Sequence, residues 1–169
     1  MLKIYLIKII RKISLSLINT FLCTTNFFKL KRFLLKLSGI NVGKNTKVVG
    51  PVSIGTVASL NIGKNCWIGS GLKIYGNGKV TIGDNCDFAP DISFVTGSHE
   101  IGDESRRAGN GTSFEVIIKN SCWVGARVTL LGNITLEESS IVGTCSLVNK
   151  SVPKNTIVAG VPAKKIKKL

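Results

Sequence analysis

From Val42 onward the chain is paced by aliphatic or aromatic residues six apart: Val42, Val48 and Ile54, then Ile62, Ile68 and Ile74, then Ile82, Phe88 and Phe94. The step from the third member of a set to the first of the next is eight, so Val42-Gly43-Lys44-Asn45-Thr46, Ile62-Gly63-Lys64-Asn65-Cys66 and Ile82-Gly83-Asp84-Asn85-Cys86 align at a spacing of twenty. The rhythm lapses after Phe94 and resumes at strict sixes as Ile118, Val124, Leu130, Leu136, Val142 and Val148. One inward aliphatic per unit, followed by a glycine or small residue, specifies a short strand and a tight turn. Three units close a triangular coil, and stacked coils bury a column that no single coil could bury alone. The alternation at two that a sandwich requires is not sustained. The pattern predicts an all-β repeat domain over residues 41–169, with two extra residues at one corner of each twenty-residue copy and glycines at corners that need positive φ.

Residues 1–40 read differently: aliphatic and basic residues are mixed and glycine is nearly absent. At the helical period Lys3, Lys8, Arg11 and Lys12 collect on one half of a helix, while Ile4, Leu6, Ile9, Ile10 and Ile13 lie mostly elsewhere. The uncharged stretch from Ile13 to Phe28 is broken by Ser14, Ser16, Asn19, Thr20, Thr24, Thr25 and Asn26, and falls short of the roughly 18–20 apolar residues that a membrane span needs. No small-residue cleavage site follows, so no removed signal peptide is expected. Two uses of this amphipathic segment stay open: lying on an anionic membrane surface, or capping the domain or an oligomer contact.

The interruption "VTGSHEIGDESRRAGNG" holds the chain's one histidine, His99. Continuing the sixes through it would place Glu100, Arg106 and Thr112 in an aliphatic column. It is therefore expected to leave the shaft as a protruding loop at about 95–115, and long loops on rigid scaffolds tend to carry function. An imidazole at the root of such a loop, beside Glu100 and near Asp103, Glu104, Arg106 and Arg107, is a candidate to take a proton from a substrate hydroxyl.

Composition narrows the partners. The net charge is +14, yet residues 1–40 carry eight Lys or Arg with no acidic residue, and Lys164, Lys165, Lys167 and Lys168 close the chain. No nucleic-acid signature lies between these ends, and no interleaving of aromatic with basic residues that would stack bases, so nucleic acid is not expected. The five cysteines include no CxxC pair. Cys66, Cys86 and Cys122 fall where Thr46 and Ser140 stand in other copies, which makes them small core fillers and suits a reducing, cytoplasmic setting. No metal site is expected: a coil that held zinc for carbon dioxide hydration would need about three His ligands.

The segments "IGKNCWIGSG", "IGDNCDFAPD", "KNSCWVGARVTLLGNITLEESSIVG", "VNKSVP" and "VAGVPAKKI", with the loop around His99, resemble the hexapeptide-repeat acyltransferases, in their galactoside, maltose and polysaccharide O-acetyltransferase branch. The likeness runs from about Val42 to the C-terminus and leaves residues 1–40 outside. It implies a left-handed parallel β-helix, an exception to the usual crossover hand, assembled as a homotrimer with acetyl-CoA between subunits. It makes His99 the general base and implies direct attack of an acceptor hydroxyl on the thioester. The backbone N–H of Ala126 would serve the oxyanion, and Trp123 would flank the entrance. Thr144, Asn149 and Lys150 would line the pantetheine arm, and Lys164 and Lys167 would meet the nucleotide phosphates. Glu100, Arg106 and Arg107 are candidates for the acceptor side. In sugar-acetylating relatives an asparagine on the preceding coil helps hold the sugar, whereas the matching region here reads Ile68-Gly69-Ser70-Gly71. Asp84, Asp87, Asp91, Glu100 or a backbone carbonyl could orient His99. The expected activity is acetyl transfer to a hydroxyl of a sugar, in surface polysaccharide or its precursor. The alternatives are serine, antibiotic or amino-sugar acyl transfer, or a non-enzymatic scaffold.

Overall fold

The computed structural model describes residues from Leu2 onward, with side chains from Tyr5. Two helices precede a parallel β-solenoid: α1 spans Leu2–Phe21 and α2 spans Phe28–Leu37. α2 stops where Gly39, at φ 77°, lets Ile40 N–H donate to Leu35 O and Gly39 N–H to Lys36 O, the paired bonds that close a helix C-terminus.

Three faces make the prism. The first stacks β1 (Asn41–Val42), β4 (Ser59–Ile62), β7 (Lys79–Ile82), β12 (Glu115–Ile118) and β15 (Ile134–Leu136). The second stacks β2 (Lys47–Val48), β5 (Trp67–Ile68), β8 (Asp87–Phe88), β13 (Trp123–Val124), β16 (Ile141–Val142) and β18 (Thr156–Gly160), and is closed by the antiparallel β19 (Ala163–Lys168). The third stacks β3 (Val52–Ile54), β6 (Leu72–Tyr75), β9 (Ser93–Val95), β14 (Thr129–Leu131) and β17 (Leu147–Val148). The sixes are the inward columns. Val42, Ile62, Ile82, Ile118 and Leu136 pair in register on the first face. Val48, Ile68, Phe88, Val124 and Val142 do so on the second, and Ile54, Ile74, Phe94, Leu130 and Val148 on the third. All fifteen are buried.

The corners work differently from the sequence expectation. In the turns that start at Val42, Ile62 and Ile82 the positive φ falls on asparagine, at 63° for Asn45 and 58° for Asn65 and Asn85, and not on the glycine two residues earlier. Asparagine tolerates this conformation, and the three side-chain amides form a ladder at 3.2 Å per step. The glycine is required by crowding: a Cβ on Gly63 would stand 2.5 Å from the Gly83 carbonyl oxygen one coil away. One position further along, Thr46, Cys66, Cys86, Cys122 and Ser140 form a buried polar column. The Thr46 hydroxyl accepts from Cys66 N–H at 3.1 Å, the Cys66 and Cys86 thiols donate to Gly83 O and Lys119 O at 3.1 Å, and Cys122 and Ser140 meet at 3.4 Å. Lodged between the Cys122 and Cys66 thiols and cut off from water, Cys86 is held protonated, its pKa pushed far above the ordinary thiol value. Among the described residues every cysteine is free.

The helices close the solenoid's first edge, and here the structure corrects the expected polar half of α1. Arg11 turns inward, 7% exposed, and donates to Ser38 O at 2.9 Å, Gly55 O at 2.9 Å and Ala58 O at 2.8 Å. Asn19 donates to Val52 O and accepts from Val52 N–H, both at 2.8 Å. β3 has no strand beneath it, and Asn19 supplies to Val52 the pair of bonds a preceding coil would have made, while Arg11 ties the corner that follows β3 to the end of α2. Lys31 of α2 is fully buried, with Nζ donating to Thr24 O at 2.6 Å and standing 4.6 Å from the Phe28 ring centroid. Burial pulls its pKa down. Phe28 in turn meets Trp67 edge to face at 6.0 Å, pinning α2 to the second face.

Candidate active site

The solenoid breaks at the corner between the third and first faces, where the two extra residues of each twenty-residue coil also fall. The departing segment is not an irregular loop. β10 (Gly97–Ile101) and β11 (Ala108–Ser113) form an antiparallel hairpin with His99 opposite Gly111 and a register shift just beyond. Its root is the buried Thr96. Thr96 N–H and Oγ1 donate to Tyr75 O at 2.7 and 3.0 Å, Oγ1 accepts from Gly78 N–H at 3.1 Å, and Thr96 O accepts from Phe114 N–H at 2.8 Å. Both ends of the excursion are thereby tied to the coil below.

Above that root the His99 side chain is exposed. It lines one cavity of about 400 Å³ with Gly76, Asn77, Gly97, Ser98, Gly111, Thr112 and Ser113. On the other side it lines a second of about 550 Å³ that includes Asp103, Arg106 and Asn110. Gly111 is the cross-strand partner of His99 and lines both cavities, and a Cβ there would meet nothing within 4 Å. The hairpin tip is held by Asp103, whose Oδ1 accepts from Ser105 Oγ at 2.6 Å, Ser105 N–H at 2.9 Å and Arg106 N–H at 3.2 Å. Donation first from the Ser105 hydroxyl, then from the two amides, lowers the Asp103 pKa.

The candidate orienters of His99 are engaged elsewhere or stand apart. Glu100 accepts from Asn110 at 3.3 Å, Asp84 faces Lys64 at 3.6 Å, and Asp87 and Asp91 lie on the second face and its following corner. Among the described residues no side-chain hydrogen bond to the imidazole is formed. Arg106 reaches the second cavity, while Arg107 Nη1 donates back to Gly102 O at 3.4 Å. The asparagine that lines the His99 cavity is Asn77, outside the Ile68–Gly71 region to which the resemblance points. The signal was the glycine pair flanking it in Tyr75-Gly76-Asn77-Gly78, at the enlarged corner.

Of the remaining candidates, all but Asn149 and Lys150 lie away from the hairpin's edge. Trp123 points out of the second face, 57% exposed, between Asp87 and Ile141 on neighbouring rungs. Ala126 and Thr144 stack at the corner between second and third faces. Ala126 O accepts from Cys145 N–H at 2.8 Å, and among the described residues the Ala126 N–H has no partner. Lys164 and Lys167 pair with Ala159 and Ile157, which project from one side of β18; the register shift between Ile157 and Val158 is what lets two lysines three apart share that side. Asn149 and Lys150 stand exposed at the third-to-first corner, above the hairpin root. The structure brings together Trp123, Ala126 and Thr144, with the lysines at the end of the same face, and keeps them from His99. Among the described residues no three His, Cys, Asp or Glu side chains converge as a metal site would require.

With this geometry the fold defines a class, the hexapeptide-repeat proteins. No protein-family model matches the chain. It is 33% identical over 81 residues to the galactoside O-acetyltransferase of Escherichia coli K12, covering 48% of this chain and 40% of that protein. It is 45% identical over 56 residues to the putative lipopolysaccharide biosynthesis O-acetyl transferase WbbJ of the same organism, covering 33% of this chain and 29% of the relative. The matched stretch thus spans less than half the length of these relatives. The solved structure of a galactoside acetyltransferase in complex with coenzyme A superposes with a TM-score of 0.76 at 26% identity, over 98% of this chain and 82% of that one. In repeat, fold and aligned sequence the chain is similar to hexapeptide-repeat acetyltransferases, among them galactoside O-acetyltransferases.

Proposed function

We propose that this chain transfers an acetyl group from acetyl-CoA to a hydroxyl of a sugar, in a surface polysaccharide or its precursor. The observation that carries the reading is the exposed imidazole of His99 at the rigid root of the hairpin, opposite Gly111 and sharing a cavity with Asn77.

The imidazole takes the proton of the acceptor hydroxyl as its oxygen attacks the thioester carbonyl carbon. The negative charge then moves to the carbonyl oxygen, where the unpaired Ala126 N–H is a ready donor. Collapse breaks the C–S bond, and the proton held on His99 passes to the departing CoA sulfur. No acyl-enzyme is needed, and the thiols of Cys66, Cys86 and Cys122 are buried in the corner column, away from both cavities. Asn77, Glu100, Arg106 and Arg107 serve the acceptor side. Trp123 flanks the entrance, Thr144, Asn149 and Lys150 line the pantetheine arm, and Lys164 and Lys167 meet the nucleotide phosphates.

His99 lies at one edge of the prism, and Ala126 and Thr144 at another, so one copy cannot present both to the same acetyl group. This split supports a homotrimer whose sites form between subunits, one giving the hairpin and the next the second face. Three buried reduced thiols fit a cytoplasmic setting.

The test is CoA thiol release from acetyl-CoA with a panel of free sugars and bacterial polysaccharides, comparing the intact protein with His99→Ala. Release that depends on an acceptor and collapses on the substitution supports the reading. Acceptor-independent behaviour, unchanged by the substitution, overturns it.

A further inference from the structure

The helices present their apolar faces the wrong way round for a cap. The side of α1 that meets the solenoid carries Arg11, Ser14 and Ile18, whereas Tyr5, Leu6, Ile9, Ile13 and Leu17 are 70%, 56%, 46%, 56% and 40% exposed on the opposite side. A helix whose only task was to cover the first coil would bury that stripe and expose the arginine. α2 repeats the arrangement with exposed Leu30, Phe33 and Leu37, while Lys31 and Leu35 face inward. Scattered apolar residues on a surface need no explanation, but two contiguous stripes on adjoining helices call for a partner.

Charge identifies it. Lys8 and Lys12 stand exposed beside the α1 stripe, and Lys29 and Lys36, with the half-buried Arg32, beside that of α2. No acidic residue occurs in the first forty. A second copy of this surface would bring like charges together, whereas a bilayer with anionic headgroups offers both hydrocarbon for the stripes and negative charge for the rim. Next to α2, a cavity of about 550 Å³ lined by Phe27, Phe28, Lys29, Arg32, Asn45, Thr46 and Lys47 opens at the same rim and has the size and charge for a lipid phosphate. No helix of the described residues is long and apolar enough to cross a membrane, which leaves binding parallel to the surface.

We propose that α1 and α2 form an interfacial docking face for an anionic phospholipid bilayer, the helices lying in the headgroup layer with Ile9, Ile13 and Phe33 immersed. The inference stands whether or not acetyl transfer is the activity. If it is, the face fixes the enzyme where a lipid-borne acceptor resides.

The experiment is co-sedimentation of the full-length protein with vesicles of pure phosphatidylcholine and of equal parts phosphatidylcholine and phosphatidylglycerol, at low and high salt, alongside its mass in solution by light scattering. Ile9→Asp, Ile13→Asp and Phe33→Asp change exposed side chains and leave the solenoid intact. Expected are binding to the anionic vesicles that weakens with salt, a loss of about tenfold or more in each Asp variant, and a smaller loss in Lys12→Glu and Lys29→Glu. Solution mass and thermal melting stay unchanged. Two results would overturn the proposal: equal sedimentation of wild type and Asp variants, or Asp variants that lower the solution mass without changing vesicle binding, which would make a second copy the occupant.

Discussion

The solenoid wall and the His99 hairpin are both built from short strands, yet they obey opposite rules. In the wall an inward position between the end coils has an equivalent one coil above and one below, so it is held twice and the cost of changing it is paid in stability. In the hairpin no position recurs, and all but a few side chains of β10 and β11 are exposed. The shaft below the hairpin, through Thr96, supplies its rigidity. Repetition makes a frame, and the one unrepeated element is free to carry chemistry.

The sharpest break between the two regions is expected at His99→Asn. Acetyl transfer should fall by about 10²–10⁴-fold, the usual contribution of a general base, while the thermal midpoint stays that of the wild type. Thiol-release kinetics beside a melting curve check both halves. Phe94→Ala should do the reverse. Phe94 is wholly buried in the third-face column, and its truncation should cost about 3–5 kcal/mol in denaturant unfolding. The two glycines Gly63 and Gly111 sharpen the contrast. Gly63→Ala forces a Cβ against the backbone of the next coil and should cost about 1–3 kcal/mol, as overpacking does. Gly111→Ala finds open space and should leave stability within about 0.5 kcal/mol, so any loss of activity there reports on acceptor access to His99. The smallest effect concerns Lys31. Its pKa is lowered on folding by burial, so between the folded and unfolded values the unfolded chain binds more protons and stability rises with pH. Lys31→Met should flatten that alkaline rise, as read from unfolding midpoints across the range below and around the ordinary lysine pKa.

What the sequence made legible follows the same division. The six-residue spacing located all fifteen column residues, because an inward position in a repeat has neighbours of its own kind and must be apolar. The excursion at His99 was visible as the place where that requirement fails. Its hairpin form was not, since Gly97–Ile101 and Ala108–Ser113 bury no face and so show no alternation. Corner glycines were legible as necessary but for the wrong reason: the composition of a turn does not say whether glycine is there for its φ or for the absent Cβ, and here Asn65 takes the positive φ while Gly63 yields the space. The orientation of α1 was hidden because a helical period shows two faces without saying which meets the core. Carbonyls left open at Ser38, behind α2, and at Gly55 and Ala58, in the corner after β3, decided it by recruiting Arg11, and they come together only once α2 and the first coil have formed. Asn77 escaped notice for a related reason: the chain distance from Asn77 to His99 is longer than a coil, and only stacking brings them to one cavity.

A stack of identical rungs has no internal reason to end, since each finished coil is a mould for the next. At one end of this molecule Asn19 occupies the bonds that another coil would use, and at the other β19 runs back along β18 with four exposed lysines. These features are growth terminators. They fix the length of the stack, and a chain stripped of α1 would be expected to offer the freed Val52 edge of β3 to one further chain, growth stopping there because β19 still closes the other end.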